Sequence, residues 1–133
     1  MKKLIFINDS PLDHFILNRI LSKYQLEYEV ICTASGAEVI SLLEKNKKDI
    51  GKLPDVILVD LYMPNFDGWD FLDMMEHLYP HLAKPLRIYL LSSSINPRDI
   101  EQAKEYSCER SFIFKPITRE VLEKCIDEES SAA

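Results

Sequence analysis

Apolar residues along the chain fall into short unbroken runs, separated by stretches in which they recur every three or four positions. Four of the runs have strand length: Leu4-Ile5-Phe6-Ile7, Val56-Ile57-Leu58-Val59, Ile88-Tyr89-Leu90-Leu91 and Phe112-Ile113-Phe114. They are continuous and rich in β-branched and aromatic residues, which predicts strands buried on both faces of a parallel sheet; a half-exposed strand would alternate apolar with polar. A fifth run, Tyr28 to Thr33, sets Glu29 beside Val30 and Ile31 and predicts an edge strand.

The intervening stretches carry helix starts. Ser10 is a cap with Pro11 at the first helical position and the acid Asp13 at the third, and Leu17, Ile20 and Leu21 supply the apolar face. Ser35-Gly36-Ala37-Glu38 reads as a capping box leading into Val39, Leu42 and Leu43. Asn96-Pro97-Arg98-Asp99 opens a helix carrying Ile100, Ala103 and Lys104, and Trp69 to Leu78 and Thr118 to Ile126 complete the set. Parallel strands joined through helices need right-handed crossovers on both faces, so the expected fold is α/β, a doubly wound five-stranded parallel sheet flanked by five helices. Asn46 to Lys52 reads as a solvated charged connection and Asp127 to Ala133 as a loose tail.

A length of 133 residues predicts a single domain, with a core over about 3–127, a short tail at 128–133 and no output domain following. Composition is ordinary for a globular protein, 47% hydrophobic and 29% charged. With 16 Lys and Arg against 22 Asp and Glu, the net charge of −6 lacks the footprint of a nucleic-acid binder, so no direct nucleic-acid contact is expected. No apolar run approaches the roughly 18 residues of a membrane span, and the apolar stretch after Met1-Lys2-Lys3 is too short for a signal peptide. A cytoplasmic protein without membrane contact is the expectation. Cys32, Cys108 and Cys125 are widely spaced with no CxxC, which predicts reduced thiols and neither disulfides nor zinc.

In an open α/β sheet the functional crevice lies beyond the carboxyl ends of the strands. The residues at those ends are Asn8-Asp9, Asp60, Ser92-Ser93-Ser94 and Lys115-Pro116, so two carboxylates, an amide, hydroxyls and one ammonium are expected on one sheet edge. Two adjacent carboxylates repel unless they share a proton or a cation, and hard oxygens at a half-open site suit Mg²⁺, with Asp9 and Asp60 as its ligands. A carboxylate can also carry a phosphoryl group as an acyl phosphate if cations neutralise the phosphoryl oxygens, a task for Mg²⁺ and Lys115. The Ser92 hydroxyl is placed to donate to such a phosphoryl group, turning modification into backbone motion.

These residues, in the motifs Phe6-Ile7-Asn8-Asp9, Val59-Asp60-Leu61-Tyr62-Met63-Pro64-Asn65-Phe66-Asp67-Gly68, Leu91-Ser92-Ser93 and Phe112-Ile113-Phe114-Lys115-Pro116, resemble the receiver domain of two-component response regulators. The resemblance implies the flavodoxin-like receiver fold with strand order 2-1-3-4-5. It implies Asp60 as phosphoacceptor; Asp9, Asp60 and the main-chain carbonyl of Tyr62 as Mg²⁺ ligands, with Mn²⁺ as a substitute; and Asn8 reaching the metal through water if at all. Ser92 takes the switch-hydroxyl position, Lys115 the phosphate-binding position, and Phe112 the place of an aromatic side chain that swings inward on activation. The Lys115-Pro116 bond would be cis. Gly68 is read as structural, permitting a positive φ in the Asp67-Gly68 turn. The implied function is a signalling switch, not an enzyme in the ordinary sense, with a histidine kinase or histidine phosphotransfer protein as donor and an unknown downstream protein as target.

Asn8 departs from the family, where an acid is commoner, and leaves the pocket one negative charge short. Weaker Mg²⁺ affinity is therefore expected, with phosphorylation retained through Asp9. Three other readings compete with this one. A haloacid-dehalogenase-type hydrolase needs a general acid two residues after its nucleophile, where this chain has Tyr62. A flavodoxin-like cofactor binder needs a phosphate cradle where this chain has Asn8-Asp9-Ser10-Pro11. A receiver-like module that works without phosphorylation is encouraged by Asn8 and opposed by Asp9, Asp60, Ser92 and Lys115. His14, His77 and His81 read as helix-surface residues and Trp69 as helix packing.

Overall fold

Once extended apolar runs leave water, their peptide groups are satisfied by neighbouring strands. Here β1 (Lys2–Ile7), β2 (Tyr28–Thr33), β3 (Val56–Asp60), β4 (Arg87–Ser92) and β5 (Glu109–Phe114) form one parallel sheet in the order β2-β1-β3-β4-β5. The connections are α1 (Pro11–Lys23), α2 (Gly36–Lys45), α3 (Gly68–Leu78), a 3₁₀ turn at Tyr79–His81, α4 (Pro97–Ala103) and α5 (Arg119–Ser131). The structure, a computed structural model, describes residues 2–25, 28–93, 96–106, 109–115 and 117–131, with side chains described except at 109–111 and 126–131. Pro116 with its expected cis bond, Ser94 and Cys108 lie outside the described residues; Cys32 is exposed and Cys125 buried.

The continuous runs divide their side chains between two cores. Ile5, Ile7, Ile57, Val59, Ile88 and Leu90 pack with Val39 and Leu43 of α2 and Phe71, Leu72 and Met75 of α3. Their alternates Leu4, Phe6, Leu58, Tyr89 and Leu91 pack with Leu17 and Leu21 of α1 and Leu122 of α5. Helices on both faces leave β1, β3 and β4 almost no polar interior position, and β2, with Glu29 and Ile31 exposed, forms the edge that its mixed pattern predicts.

Helix starts follow the sequence with local differences. Ser10 and Ser35 accept from Asp13 N and Glu38 N at 3.3 and 3.1 Å. The expected box at α2 is only half formed, because Ser35 N donates to Thr33 Oγ1 at 3.1 Å instead. The complete box lies at α3, where Asp67 and Asp70 exchange backbone-to-carboxylate bonds of 3.0 Å. Gly68 corrects the turn reading: among the described residues no glycine has positive φ, and the left-handed residue of this loop is Asn65 at φ 71°. Gly68 is needed for space, since a Cβ there would sit 2.8 Å from Leu61 Cα and 3.1 Å from the Asp60 carbonyl oxygen. Two further expectations change. Helix α5 runs on to Ser131 through most of the segment read as a loose tail, and α4 buries Asp99 with Ala103 while Lys104 is exposed.

Asp55 closes the amino-terminal edge of the sheet, accepting from Lys3 N and Lys84 Nζ, both at 2.8 Å. Burial pushes its carboxyl up, but these donors outweigh burial and hold it below the ordinary 3.8. An acid depressed in the folded state contributes stability that is present above its unfolded value and lost as pH falls through the folded one. The urea midpoint is therefore expected to fall as pH drops below 3.8, and Asp55→Asn to lower the midpoint at neutral pH while flattening that acid loss. Gly68→Ala is expected to cost about 2 kcal/mol, because the obstacle is backbone. Gly36→Ala, whose Cβ would meet the movable Phe66 ring at 2.9 Å, is expected to cost clearly less in the same urea titration.

Candidate functional site

The carboxyl ends of β1, β3, β4 and β5 gather the polar residues that the strand interiors exclude. Asp60 ends β3 and is 6% exposed, Ser92 ends β4 at 2%, and Asn8 follows β1 at 0%. Lys115 follows β5 and is fixed at its backbone by donating to the Ser92 carbonyl at 2.9 Å. From there its Nζ reaches Asp60 Oδ2 at 3.0 Å. This pair, read from the sequence as phosphoacceptor and phosphate-binding lysine, is formed directly.

Burial pushes the Asp60 carboxyl above its ordinary value, the Asp9 charge adds to the rise, and Lys115 and the Tyr62 amide oppose it. Burial likewise works against the Lys115 ammonium, but Asp13 and Asp60 hold its pKa above the usual lysine value. A carboxyl oxygen thus stands at the sheet edge with one cation against it and a second acid near enough to raise its pKa.

The donor set fits a hard divalent cation. Asp9 is exposed beside the buried Asp60, so one end of the pair is open to water while the other is fixed. Among the described residues no three acidic, histidine or cysteine side chains converge as a closed metal cage. An open two-carboxylate half-site is the arrangement Mg²⁺ accepts, since it keeps several waters. The Tyr62 amide donates to Asp60 Oδ1 at 3.4 Å, which places that residue's peptide next to the carboxylate.

Asn8 is engaged on every side. Its backbone N donates to the Thr33 carbonyl at 2.9 Å, its Oδ1 accepts from Ser10 N at 2.8 Å, and its Nδ2 donates to Asp13 Oδ2 at 3.0 Å. Asp13 Oδ2 also accepts from Lys115 Nζ at 3.0 Å. Burial would raise the Asp13 carboxyl, but Lys115 and Asn8 hold it below the ordinary value. Asp13 is the residue that sequence reasoning missed: an acid three positions after a capping serine reads as helix-start chemistry, and nothing local shows that a lysine 102 positions away will reach it. His14 also differs from the surface reading. It is half-buried, its ring lies 5.0 Å from that of Phe6, and its Nε2 bonds the Asn8 carbonyl.

Other expected residues stand farther out. Phe112 is half-buried, stacks on Phe114 with ring centres 6.3 Å apart and packs against the core that α2 and α3 cover. Ser93 is exposed next to Ser92. The Tyr62 side chain points away from the pocket, 54% exposed, and donates to Asp99 at 2.6 Å. That bond pushes its phenol above the ordinary value and ties the loop after β3 to α4. Trp69 packs on the core as expected and also stacks on Tyr106, ring centres 6.1 Å apart.

A model of the response regulator receiver domain family matches residues 4–127. Protein PilH of Pseudomonas aeruginosa is 25% identical over 130 residues, covering 96% of each chain. Two-component response regulator ORR1 of Oryza sativa subsp. japonica is 26% identical over 117 residues, 86% of this chain. This chain covers only 49% of that rice protein, about half its length. Among solved structures, a response regulator receiver protein from Dyadobacter fermentans superposes with a TM-score of 0.80 at 27% identity, covering 96% of this chain and 97% of that one. The receiver domain of a sensor histidine kinase from Pseudomonas aeruginosa, solved with a magnesium ion coordinated in its active site cleft, shares the fold at a TM-score of 0.74 and 18% identity, over 96% and 95% of the two chains. The family match spans the carboxylate after β1, the carboxylate ending β3, the hydroxyl ending β4 and the lysine after β5 that this sheet brings to one edge, and the chain belongs to the response regulator receiver domain family.

Proposed function

We propose that this protein is a phosphorylation-dependent signalling switch whose phosphoacceptor is Asp60. The observation that carries the reading is the buried Asp60 carboxylate held at 3.0 Å by Lys115 at the sheet edge. A carboxylate oxygen of Asp60 attacks the phosphorus of a phosphohistidine; the P–N bond breaks, its electron pair stays on the imidazole, and an acyl phosphate remains. Water later attacks that phosphorus, restoring the carboxylate and releasing inorganic phosphate.

Lys115 stays against the oxygens that gain charge, where a fixed cation in a poorly hydrated site acts strongly. Ser92, at the end of β4, is the hydroxyl proposed to follow the phosphoryl group, and Phe112 the aromatic that responds. Asp9, Asp60 and the Tyr62 carbonyl are the residues proposed to hold Mg²⁺, or Mn²⁺ in its place, with Asn8 at most through water. When bound, the cation supplies further neutralisation of phosphoryl charge. The donor is proposed to be a histidine kinase or histidine phosphotransfer protein and the output a protein–protein contact; the magnesium in a related receiver and the sensory relative RpfC of Xanthomonas campestris are in keeping with this. A module that signals without phosphorylation is the second reading, favoured by the complete engagement of Asn8 within the protein.

Incubation with acetyl phosphate separates the two. Intact-protein mass is expected to rise by one phosphoryl group with Mg²⁺, not after chelation and not in Asp60→Asn. Lys115→Ala is expected to slow the gain about a hundredfold. No gain in wild type, under conditions that modify a control receiver, would leave the phosphorylation-independent module. Because burial raises the Asp60 pKa, ionisation at neutral pH costs the folded state, so Asp60→Asn should unfold at a urea midpoint no lower than wild type.

A further inference from the structure

We propose that Asp13 is the third acid of the pocket, acting from the first turn of α1 to hold Lys115 and to supply negative charge that sets the pocket's affinity for Mg²⁺. The inference rests on the pocket around Asp60 being the divalent-cation site proposed above. Its basis is the shared oxygen: Asp13 Oδ2 accepts from Asn8 Nδ2 and from Lys115 Nζ, each at 3.0 Å. Lys115 in turn touches Asp60 at 3.0 Å, so one ammonium is divided between two carboxylates.

This arrangement assigns a reason to the amide at position 8. A carboxylate there would face Asp13 at hydrogen-bond distance, like charge against like in a partly buried site, whereas an amide donates. Asn8 and Asp13 therefore form one unit in which the acid stands on the helix and the amide on the strand end. Asp9, Asp13 and Asp60 together outnumber Lys115 by two charges, so the pocket is not short of negative charge as the sequence alone suggests. Asp13 acts as a positioning residue, through Lys115 and through its field, because among the described residues no three such side chains meet as direct ligands.

The test titrates Mg²⁺ by calorimetry into wild type, Asp13→Asn, Asp13→Glu and the exchange variant Asn8→Asp/Asp13→Asn, with folding of each checked by circular dichroism. Asp13→Asn is expected to weaken Mg²⁺ about tenfold, in line with outer-shell losses at metal sites. The exchange variant, which moves the acid back to the strand, should recover to within about threefold of wild type, and Asp13→Glu, which keeps the charge, should stay within the same margin. Asn8→Asp alone should melt at lower temperature than wild type without Mg²⁺ and regain that loss when Mg²⁺ is added. An Asp13→Asn affinity within about twofold of wild type overturns the proposal, as does an exchange variant no tighter than Asp13→Asn or a wild type that binds no Mg²⁺. Acetyl phosphate labelling of wild type is scored separately. Its failure with the Mg²⁺ series intact removes the phosphoacceptor reading and leaves the role of Asp13 standing, and the converse result does the reverse.

Discussion

Two-sided burial of the sheet is the constraint from which the rest of the molecule follows. With helices on both faces, the interiors of β1, β3 and β4 admit almost nothing polar, because an unpaired polar group there would lose water with no replacement. Polar side chains are confined to the strand ends, and at the carboxyl edge Asn8, Asp60 and Ser92 are buried all the same. Asn8 meets the requirement by using its amide and backbone with Thr33, Ser10 and Asp13. Asp60 meets it through Lys115 and the Tyr62 amide.

The same burial decides the electrostatics. Desolvation works against both charged partners, raising the Asp60 carboxyl while Lys115 is kept charged by two acids. A buried ion pair of this kind contributes little net stability, and Lys115 is held by Asp13 as well, so the pair is not a staple for the fold. The staples lie elsewhere. Asp55 joins β1 to the start of β3 at the opposite edge, and the Asp67–Asp70 box fixes the start of α3. Gly68 lets that helix approach the backbone of Asp60 and Leu61 more closely than any side chain would allow.

Aromatic residues connect this edge to α4. Tyr62, two positions after Asp60, donates to the buried Asp99 of α4, and Trp69 at the start of α3 stacks on Tyr106 just beyond α4, whose hydroxyl bonds Asp73. The loop after Asp60 and helix α4 are therefore joined through side chains as well as through the sheet. Phe112 lies on the same side, against the core that α2 and α3 cover.

The layers and the strand ends were legible in the chain's own pattern. Continuous apolar runs force two-sided burial, and two-sided burial sends Asp9, Asp60, Ser92 and Lys115 to one edge. Those inferences are local or depend only on topology. Tertiary structure decided what depends on distance between side chains far apart in the chain. Asp13 and Asp99 both sit in the first turn of a helix, where an acid is explained by the helix itself, yet one is taken up by Lys115 and the other by Tyr62. Gly68 is fixed by the nearness of the Leu61 backbone, not by its own φ, and the left-handed residue is Asn65. Residue type and spacing describe what a group can do to its neighbours along the chain; which distant partner it meets is settled only when the sheet register and the helix packing set the final few ångströms.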